Sequence, residues 1–296
     1  MDERNSTLVL DPATLGKALT ALSREIQTGQ RWMPTNSANK IFLDWYYANW
    51  EGVEALQGLK VKTARQAAPL NSFLEDNGFQ PMFREISPGG VGACAVIDML
   101  VEWAVQATLT KFDIWADDYA SHLRYTAFEV PLQGIEIFDL DATSEKLVKI
   151  NTADGGALWL LMTVRPTHPT DFIMSAVLAM AARRPADTTW IKSVIVPTIE
   201  IDAIGDLSWM LGVSSGDHSI DQAFQLTKLR INHEGARVKA ASGLSTTRGG
   251  PSAPQPLIFN RPFTGWVTQS GSELPIAVFY AGRGSWKKPG GALADL

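Results

Sequence analysis

The amino-acid sequence predicts a single α+β domain, and three observations lead to this prediction. Helical patterns lie mainly in the first part of the chain, whereas strand patterns dominate from residue 122 onward. No repeat, linker or block of like charges divides the 296 residues, so we expect one domain over 1–296. Apolar residues make up 45% of the chain and charged residues 19%, a balance that supports a sizeable core without a disulfide or a metal.

Two helices are expected near the N-terminus. Asp11 is typical of a helix N-cap and Pro12 of the first helical position. Apolar residues then recur at helical spacing until Gly29, which ends the predicted helix. A second predicted helix, over 37–51, is rich in aromatic residues.

The region between 59 and 111 is expected to alternate between strands and helices. Alternating apolar and charged residues predict a strand over 59–66, and a short helix follows over 70–77. The next predicted elements are a strand over 79–86 and, after a Pro-Gly-Gly break, a long helix over 92–111.

The rest of the chain is predicted to be mostly strand, with one amphipathic helix over 170–184. The expected strands are 122–132, 135–140, 146–151, 157–165, 190–202, 222–233, 259–268 and 275–282, with a short helix at 204–212. Residues 236–258 are instead rich in Ser, Thr, Gly, Ala and Pro. A loop of this length in a compact domain is commonly functional or disordered, so it is the first indication of a function.

The composition argues against several classes of function. A net charge of −5 does not suit a nucleic-acid-binding protein. The single cysteine, Cys94, excludes a disulfide framework, and the four histidines lack ligand spacing, so neither a metal nor a cofactor is expected. No apolar run is long enough to span a membrane, and the N-terminus lacks an apolar signal core, so we expect a cytoplasmic protein. Neither of the commonest hydrolase motifs, G-x-S-x-G and H-E-x-x-H, occurs.

The chain is rich in tryptophan, with ten tryptophans against five tyrosines. In the predicted second helix, which also contains Tyr46, Trp45 and Trp50 do not share one face, so aromatic rings lie on several sides of the helix. These rings could pack in the core, or they could line a pocket for an apolar ligand. Both interpretations stay open.

Several motifs together resemble the serpin family. The segment INHEG at 231–235 resembles the end of the strand that leads into a serpin reactive centre loop, and FNRPF at 259–263 resembles the entry to the C-terminal hairpin. LDPATL at 10–15 is similar to the start of the second serpin helix. WAVQAT at 103–108 is similar to the helix that covers the main sheet, and VPTIEI at 196–201 to a later strand. The resemblance covers most of the chain in the family's order, without the usual first helix.

The resemblance implies an α+β, serpin-like fold, with mixed β-sheets, covering helices and an exposed reactive-type loop at 236–258. Serpins as a family are suicide inhibitors of serine or cysteine proteases, whose cleaved loop inserts as an extra strand in the main sheet. The implied loop hinge is formed by Glu234, Gly235, Ala236, Val238 and Ala240.

An inserted strand buries alternate side chains, which must therefore be small and uncharged. One face of the loop would carry Ala236, Val238, Ala240 and Ser242, whereas Arg237 and Lys239 would lie on the solvent face. Farther along, Arg248 is followed by Gly249, and this bond is the candidate reactive bond. An arginine at that position implies a trypsin-like serine protease as the partner. Counting along the loop as in the serpin family places the bond one residue later, after Gly249, so both registers stay open.

Three positions differ from those that help the serpin sheet to open. The family's serine pair is replaced by Asp11 and Thr14, and its histidine by Gln225. These differences motivate a second hypothesis, a non-inhibitory serpin fold that binds or cyclises a small apolar molecule in a tryptophan-lined pocket. The sequence leaves open whether the protein is an enzyme.

Overall fold

The structure is a computed structural model that describes residues 7–97, 102–115, 122–140, 143–163, 166–234 and 254–287. Within these ranges the helices are α1 (Pro12–Ile26), α2 (Ser37–Ala55), α3 (Ala67–Asp76) and α4 (Pro169–Ala182). None of the described helices is both long enough and apolar enough to cross a membrane.

The strands of the described residues alternate with these helices early in the chain and dominate later. The first nine are β1 (Thr7–Leu10), β2 (Leu59–Ala64), β3 (Gly92–Ile97), β4 (Thr108–Trp115), β5 (His122–Pro131), β6 (Ile135–Leu140), β7 (Thr143–Asn151), β8 (Ala157–Met162) and β9 (Arg183–Pro185). The others are β10 (Ile191–Pro197), β11 (Ile199–Gly205), β12 (Ser214–Ser215), β13 (His218–Ser219), β14 (Gln225–Ile231), β15 (Gln255–Ile258), β16 (Phe263–Thr268) and β17 (Ala277–Ala281).

The strands form two large sheets and three small ones. A seven-stranded sheet has the order β1-β17-β16-β8-β7-β6-β9, and a four-stranded sheet has the order β15-β10-β5-β4. The pairs β2-β3, β11-β14 and β12-β13 are separate two-stranded sheets. Because β10 pairs with β15 in parallel and with β5 antiparallel, the four-stranded sheet is mixed. The prediction of an α+β fold with mixed sheets is confirmed.

The two N-terminal helices are confirmed, and local sequence accounts for both. Helix α1 begins at Pro12, which has no N–H to leave unpaired at a helix start. Helix α2 is preceded by Asn36, whose side chain accepts a hydrogen bond from Asn39 N, while the Asn39 side chain accepts one from Asn36 N. This reciprocal capping satisfies two N–H groups that the helix itself cannot.

The predicted helix over 92–111 is wrong. Residues 92–97 form β3, with an alternating burial pattern, and pair with β2. Residues 108–115 form β4, which pairs with β5. Small and β-branched residues dominate β3, so its period of two suits a strand better than the helical spacing inferred from the larger side chains. The motif at 103–108 therefore does not form the covering helix that the resemblance implied.

The predicted strand over 79–86 is also wrong, since these residues belong to no sheet. Side chains satisfy several of their backbone groups instead. Asn71 Oδ1 accepts hydrogen bonds from the N–H groups of Met82 and Phe83, and Gln222 Oε1 accepts one from Arg84 N. The segment is thus a bridge between α3 and the residues that precede β14.

The seven-stranded sheet has little space at its centre. Every residue of β16 is buried, and a Cβ on Gly265 would overlap the ring of Phe279 on β17. We predict that Gly265→Ala lowers the free energy of unfolding by about 1–3 kcal/mol, since the ring has to move within a packed core. Urea denaturation followed by circular dichroism measures this loss, and an unchanged midpoint would contradict the prediction.

Candidate functional site

A cavity of about 540 Å³ lies among α1, β3 and β14. Helix α1 contributes Leu15, Ala18, Leu19 and Leu22 to the wall of the cavity, and β16 and β17 also contribute lining residues. Aromatic side chains also line it: Phe79, Phe83, Trp103, Phe224 and Phe279. Most of the wall is therefore apolar, as in typical small-molecule sites.

Two strand edges border this cavity. Consecutive residues of β3, Ala93–Ile97, and all of β14 line it, whereas no described residue of β2 or β11 does. Within the described part of the chain, β3 pairs only with β2 and β14 only with β11. The unpaired edges of β3 and β14 therefore face the cavity, and each has backbone groups available to a further strand.

Side chains bridge the cavity at both ends. At one end Trp103 Nε1 donates a hydrogen bond of 3.0 Å to the carbonyl of Asn232, just after β14. At the other end Phe83 and Phe224 meet edge to face with ring centroids 4.8 Å apart. Between these ends Lys228, in the middle of β14, donates from Nζ to the carbonyl of Gly78. Lining residues therefore make contacts at three places, within β14 and directly before and after it.

A polar cluster lies where α1 meets β14. The Asp11 N–H donates to Gln225 Oε1 over 2.8 Å, and Thr227 Oγ1 donates to Asp11 Oδ2 over 2.7 Å. Gln225 Nε2 in turn donates to Thr227 Oγ1. The second carboxyl oxygen, Asp11 Oδ1, is buried without a hydrogen-bond partner among the described residues.

Asp11 occupies the N-cap position of α1, as predicted, but its side chain does not cap the helix. Only 5% of the residue is exposed, and burial raises the pKa of its carboxyl from 3.8 to about 7, against the hydrogen bond from Thr227, which lowers it. The carboxyl is therefore mostly protonated in mildly acidic solution. Sequence reasoning had singled out Asp11 and Gln225 only as departures from a family pattern.

The single cysteine also lines the cavity. Cys94 lies on β3 as a free, buried thiol, and burial raises its pKa to about 12. Since the thiolate is the reactive form, we predict that a thiol-reactive disulfide labels native Cys94 more than about 100-fold more slowly than the urea-unfolded chain near pH 8. Absorbance of the released aromatic thiol measures both rates, and equal rates would contradict the prediction.

Only one member of the predicted loop hinge lies within the described residues. Glu234 lies three residues after the end of β14, and its N–H donates to Asn232 Oδ1 over 2.8 Å. The other hinge residues and the candidate reactive bond lie outside the described residues: Gly235, Ala236, Val238, Ala240, Arg248 and Gly249. Their roles stay predictions.

The aromatic residues predicted for a ligand pocket lie apart from the cavity. Trp45 and Tyr46 are buried in the core, where Tyr46 Oη and Thr20 Oγ1 share a hydrogen bond of 2.8 Å. Trp50 is 47% exposed. None of the three lines the 540 Å³ cavity, so their part in a ligand pocket stays a prediction. Nor do the described residues contain a group of His, Cys, Asp and Glu that could hold a metal ion.

Comparison with known proteins finds similarity in structure and none in sequence. No family model matches the chain, and no curated protein matches it. Serpin48 from the insect Tenebrio molitor has a TM-score of 0.60 and 13% identity, over 93% of this chain and 91% of that one. SRPN18 from Anopheles gambiae has a TM-score of 0.58 and 12% identity, over 97% and 94%. Thyroxine-binding globulin in complex with thyroxine has a TM-score of 0.55 and 10% identity, over 94% and 92%. The chain therefore has a serpin-like fold.

Proposed function

We propose that this protein is a serpin-type inhibitor that traps a trypsin-like serine protease by inserting residues 236–258 as a strand after cleavage. The observation that carries the proposal is that β3 and β14, each with one edge unpaired among the described residues, border the same cavity. A strand placed between them would gain backbone hydrogen bonds on both sides, the arrangement that favours β-augmentation.

The position of the loop in the chain supports the same function. Glu234 lies three residues after β14, so a segment that turns back beside β14 would run antiparallel to it. Its inward face would then carry Ala236, Val238 and Ala240 toward the apolar side chains of α1. Small uncharged side chains suit that space, and the charged Arg237 would lie on the solvent face.

Incubation with trypsin tests the proposal. We expect an SDS-resistant complex between the protease and the part of the chain that ends at Arg248, together with higher thermal stability of the cleaved protein. Ala240→Arg should abolish the complex, because it places a charge on the inserted face. The matched variant Ala241→Arg places the same charge on the other face and should retain the complex. Cleavage with neither complex nor stabilisation would contradict inhibition.

A second function is favoured by the dimensions of the cavity. At about 540 Å³ it falls in the usual range of small-molecule pockets, roughly 300–1,000 Å³, and its wall is mainly apolar. Thyroxine-binding globulin, which has a similar fold, was solved with a bound small molecule. The second candidate is therefore a non-inhibitory serpin fold that binds, or cyclises, a small apolar molecule in this cavity.

Binding of an uncharged fluorescent probe tests the second function. The probe is 6-propyl-2-(dimethylamino)naphthalene, whose fluorescence anisotropy increases when it binds to the protein. We expect saturable binding to the intact protein and loss of binding in Ala18→Trp, which fills the cavity from α1. Ala181→Trp introduces the same side chain at an exposed position of α4 and should bind as the natural protein does. Binding that Ala18→Trp leaves intact would contradict this function.

A further inference from the structure

We propose that the cavity selects an uncharged ligand that carries one hydrogen-bond acceptor, such as a ketone, through a hydrogen bond donated by the Asp11 carboxyl. The inference rests on the second candidate function and specifies its ligand class. It is independent of the aromatic residues of α2 that the sequence suggested for a pocket.

Among the side-chain polar atoms of the polar cluster, only Asp11 Oδ1 has no hydrogen bond to another described residue. Gln225 accepts from Asp11 N and donates to Thr227, and Thr227 donates to Asp11 Oδ2. Thr14 Oγ1 donates to the Asp11 carbonyl. What is left is Asp11 Oδ1, which is buried with no partner in the described structure and, when protonated, is a free donor.

Leaving that donor unpaired is costly, which is the physical reason to expect a ligand group there. A buried polar group without a partner costs about 1–3 kcal/mol, and native proteins leave few of them. Oδ1 exposes less than 1 Å² of surface, so a ligand must displace the neighbouring atoms that cover it. An acceptor oxygen placed there would give Oδ1 the hydrogen-bond partner that it lacks.

The charges around the cavity favour an uncharged ligand. The charged side chains that line it, among the described residues, are Asp11, Lys228 and Arg230. Arg230 pairs with Glu200, and Lys228 donates to the Gly78 carbonyl. The described residues of α1, β3, β16 and β17 that line the cavity carry no charged side chain. A charged group, whether ammonium or carboxylate, would lose its water against a mainly apolar wall.

A matched pair of probes tests the inference on the intact protein. The first is the naphthalene probe with the propyl chain described above, and the second is its ketone, 6-propionyl-2-(dimethylamino)naphthalene. The two differ by one acceptor oxygen. Near pH 6 we expect the ketone to bind about tenfold more tightly than the hydrocarbon analogue, the value of one hydrogen bond. Near pH 8.5 the preference should disappear, because the ionised carboxyl has no proton to donate.

Two substitutions of Asp11 test whether its carboxyl proton causes the preference for the ketone probe. Asp11→Ala removes the donor, so it should lose the ketone preference and still bind the hydrocarbon probe. Asp11→Asn keeps a donating group, so it should retain a preference that no longer depends on pH. If Asp11→Ala fails to fold, the pH series on the natural protein and on Asp11→Asn still tests whether the Asp11 carboxyl donates to the ketone.

The outcomes distinguish this inference from the function on which it rests. If neither probe binds, or if Ala18→Trp leaves binding unchanged, the small-molecule function fails and the inference fails with it. If both probes bind in the cavity with equal affinity at both pH values, the small-molecule function stands and the role of Asp11 is overturned.

Discussion

The natural protein is expected to lose roughly 4 kcal/mol of its free energy of unfolding as the pH rises from about 4 to about 7, and Asp11→Asn is expected to abolish this loss. The carboxyl titrates near its ordinary value of 3.8 in the unfolded chain and at about 7 in the folded protein, because burial disfavours the charged form. Below the first value both states hold the proton and the stability is complete. As the pH rises toward the second, only the unfolded chain releases the proton, so the free energy of unfolding falls.

Urea denaturation of both proteins at a series of pH values measures this difference. Other carboxyl groups act in the opposite sense: hydrogen bonds from the Ser208 side chain and backbone lower the pKa of Asp206. These groups are present in both proteins, so the difference between the two curves isolates Asp11. Asp44→Asn, at an exposed position of α2, is the matched control and should leave the curve almost unchanged. Parallel curves for the natural protein and Asp11→Asn would contradict a raised pKa.

Trp266→Ala is expected to lower the free energy of unfolding by about 3–5 kcal/mol. Trp266 is fully buried on β16, an interior strand of the seven-stranded sheet. Its ring stacks on that of Trp159 across the β16–β8 pair, with centroids 6.1 Å apart and an interplanar angle of 4°. Removing it leaves a cavity between strands that are paired on both sides and cannot collapse into the space.

The control for this variant is a tryptophan in a different environment. Trp190 is 47% exposed, so Trp190→Ala removes the same side chain with a smaller loss of buried area than Trp266→Ala. We expect a correspondingly smaller loss of stability. Equal losses for the two variants in urea denaturation would show that the stacked pair is not the cause of the larger effect.

Local signals were sufficient to predict the elements whose ends have their own chemistry. Pro12 marks the start of α1, and capping residues precede α2 and α4. The segment 92–111 was different, because apolar residues at helical spacing coincide there with alternating small residues. Residues 92–97 form a strand because β3 pairs with β2. A local sequence pattern does not show pairing with a partner that is distant in the chain.

The candidate site was predictable only in part. The sequence identified the loop, its small alternating residues and the unusual Asp11 and Gln225. Nothing local indicates that Asp11 and Thr227, 216 positions apart, share a hydrogen bond in a buried cluster. The cavity itself depends on the separation of β3 from β14, and this is a property of the tertiary arrangement rather than of either strand.

The order of strands in the large sheet has a consequence for any protein cut within 236–253. The chain after that segment supplies β16 and β17, which lie between β8 on one side and β1 on the other. Since every residue of β16 is buried, the C-terminal fragment would stay paired in the sheet after a peptide bond within 236–253 is cleaved. A nicked molecule should therefore migrate as one particle under native conditions and as two polypeptides in SDS. For the same reason, the two halves expressed separately are candidates for reassembly as a split protein.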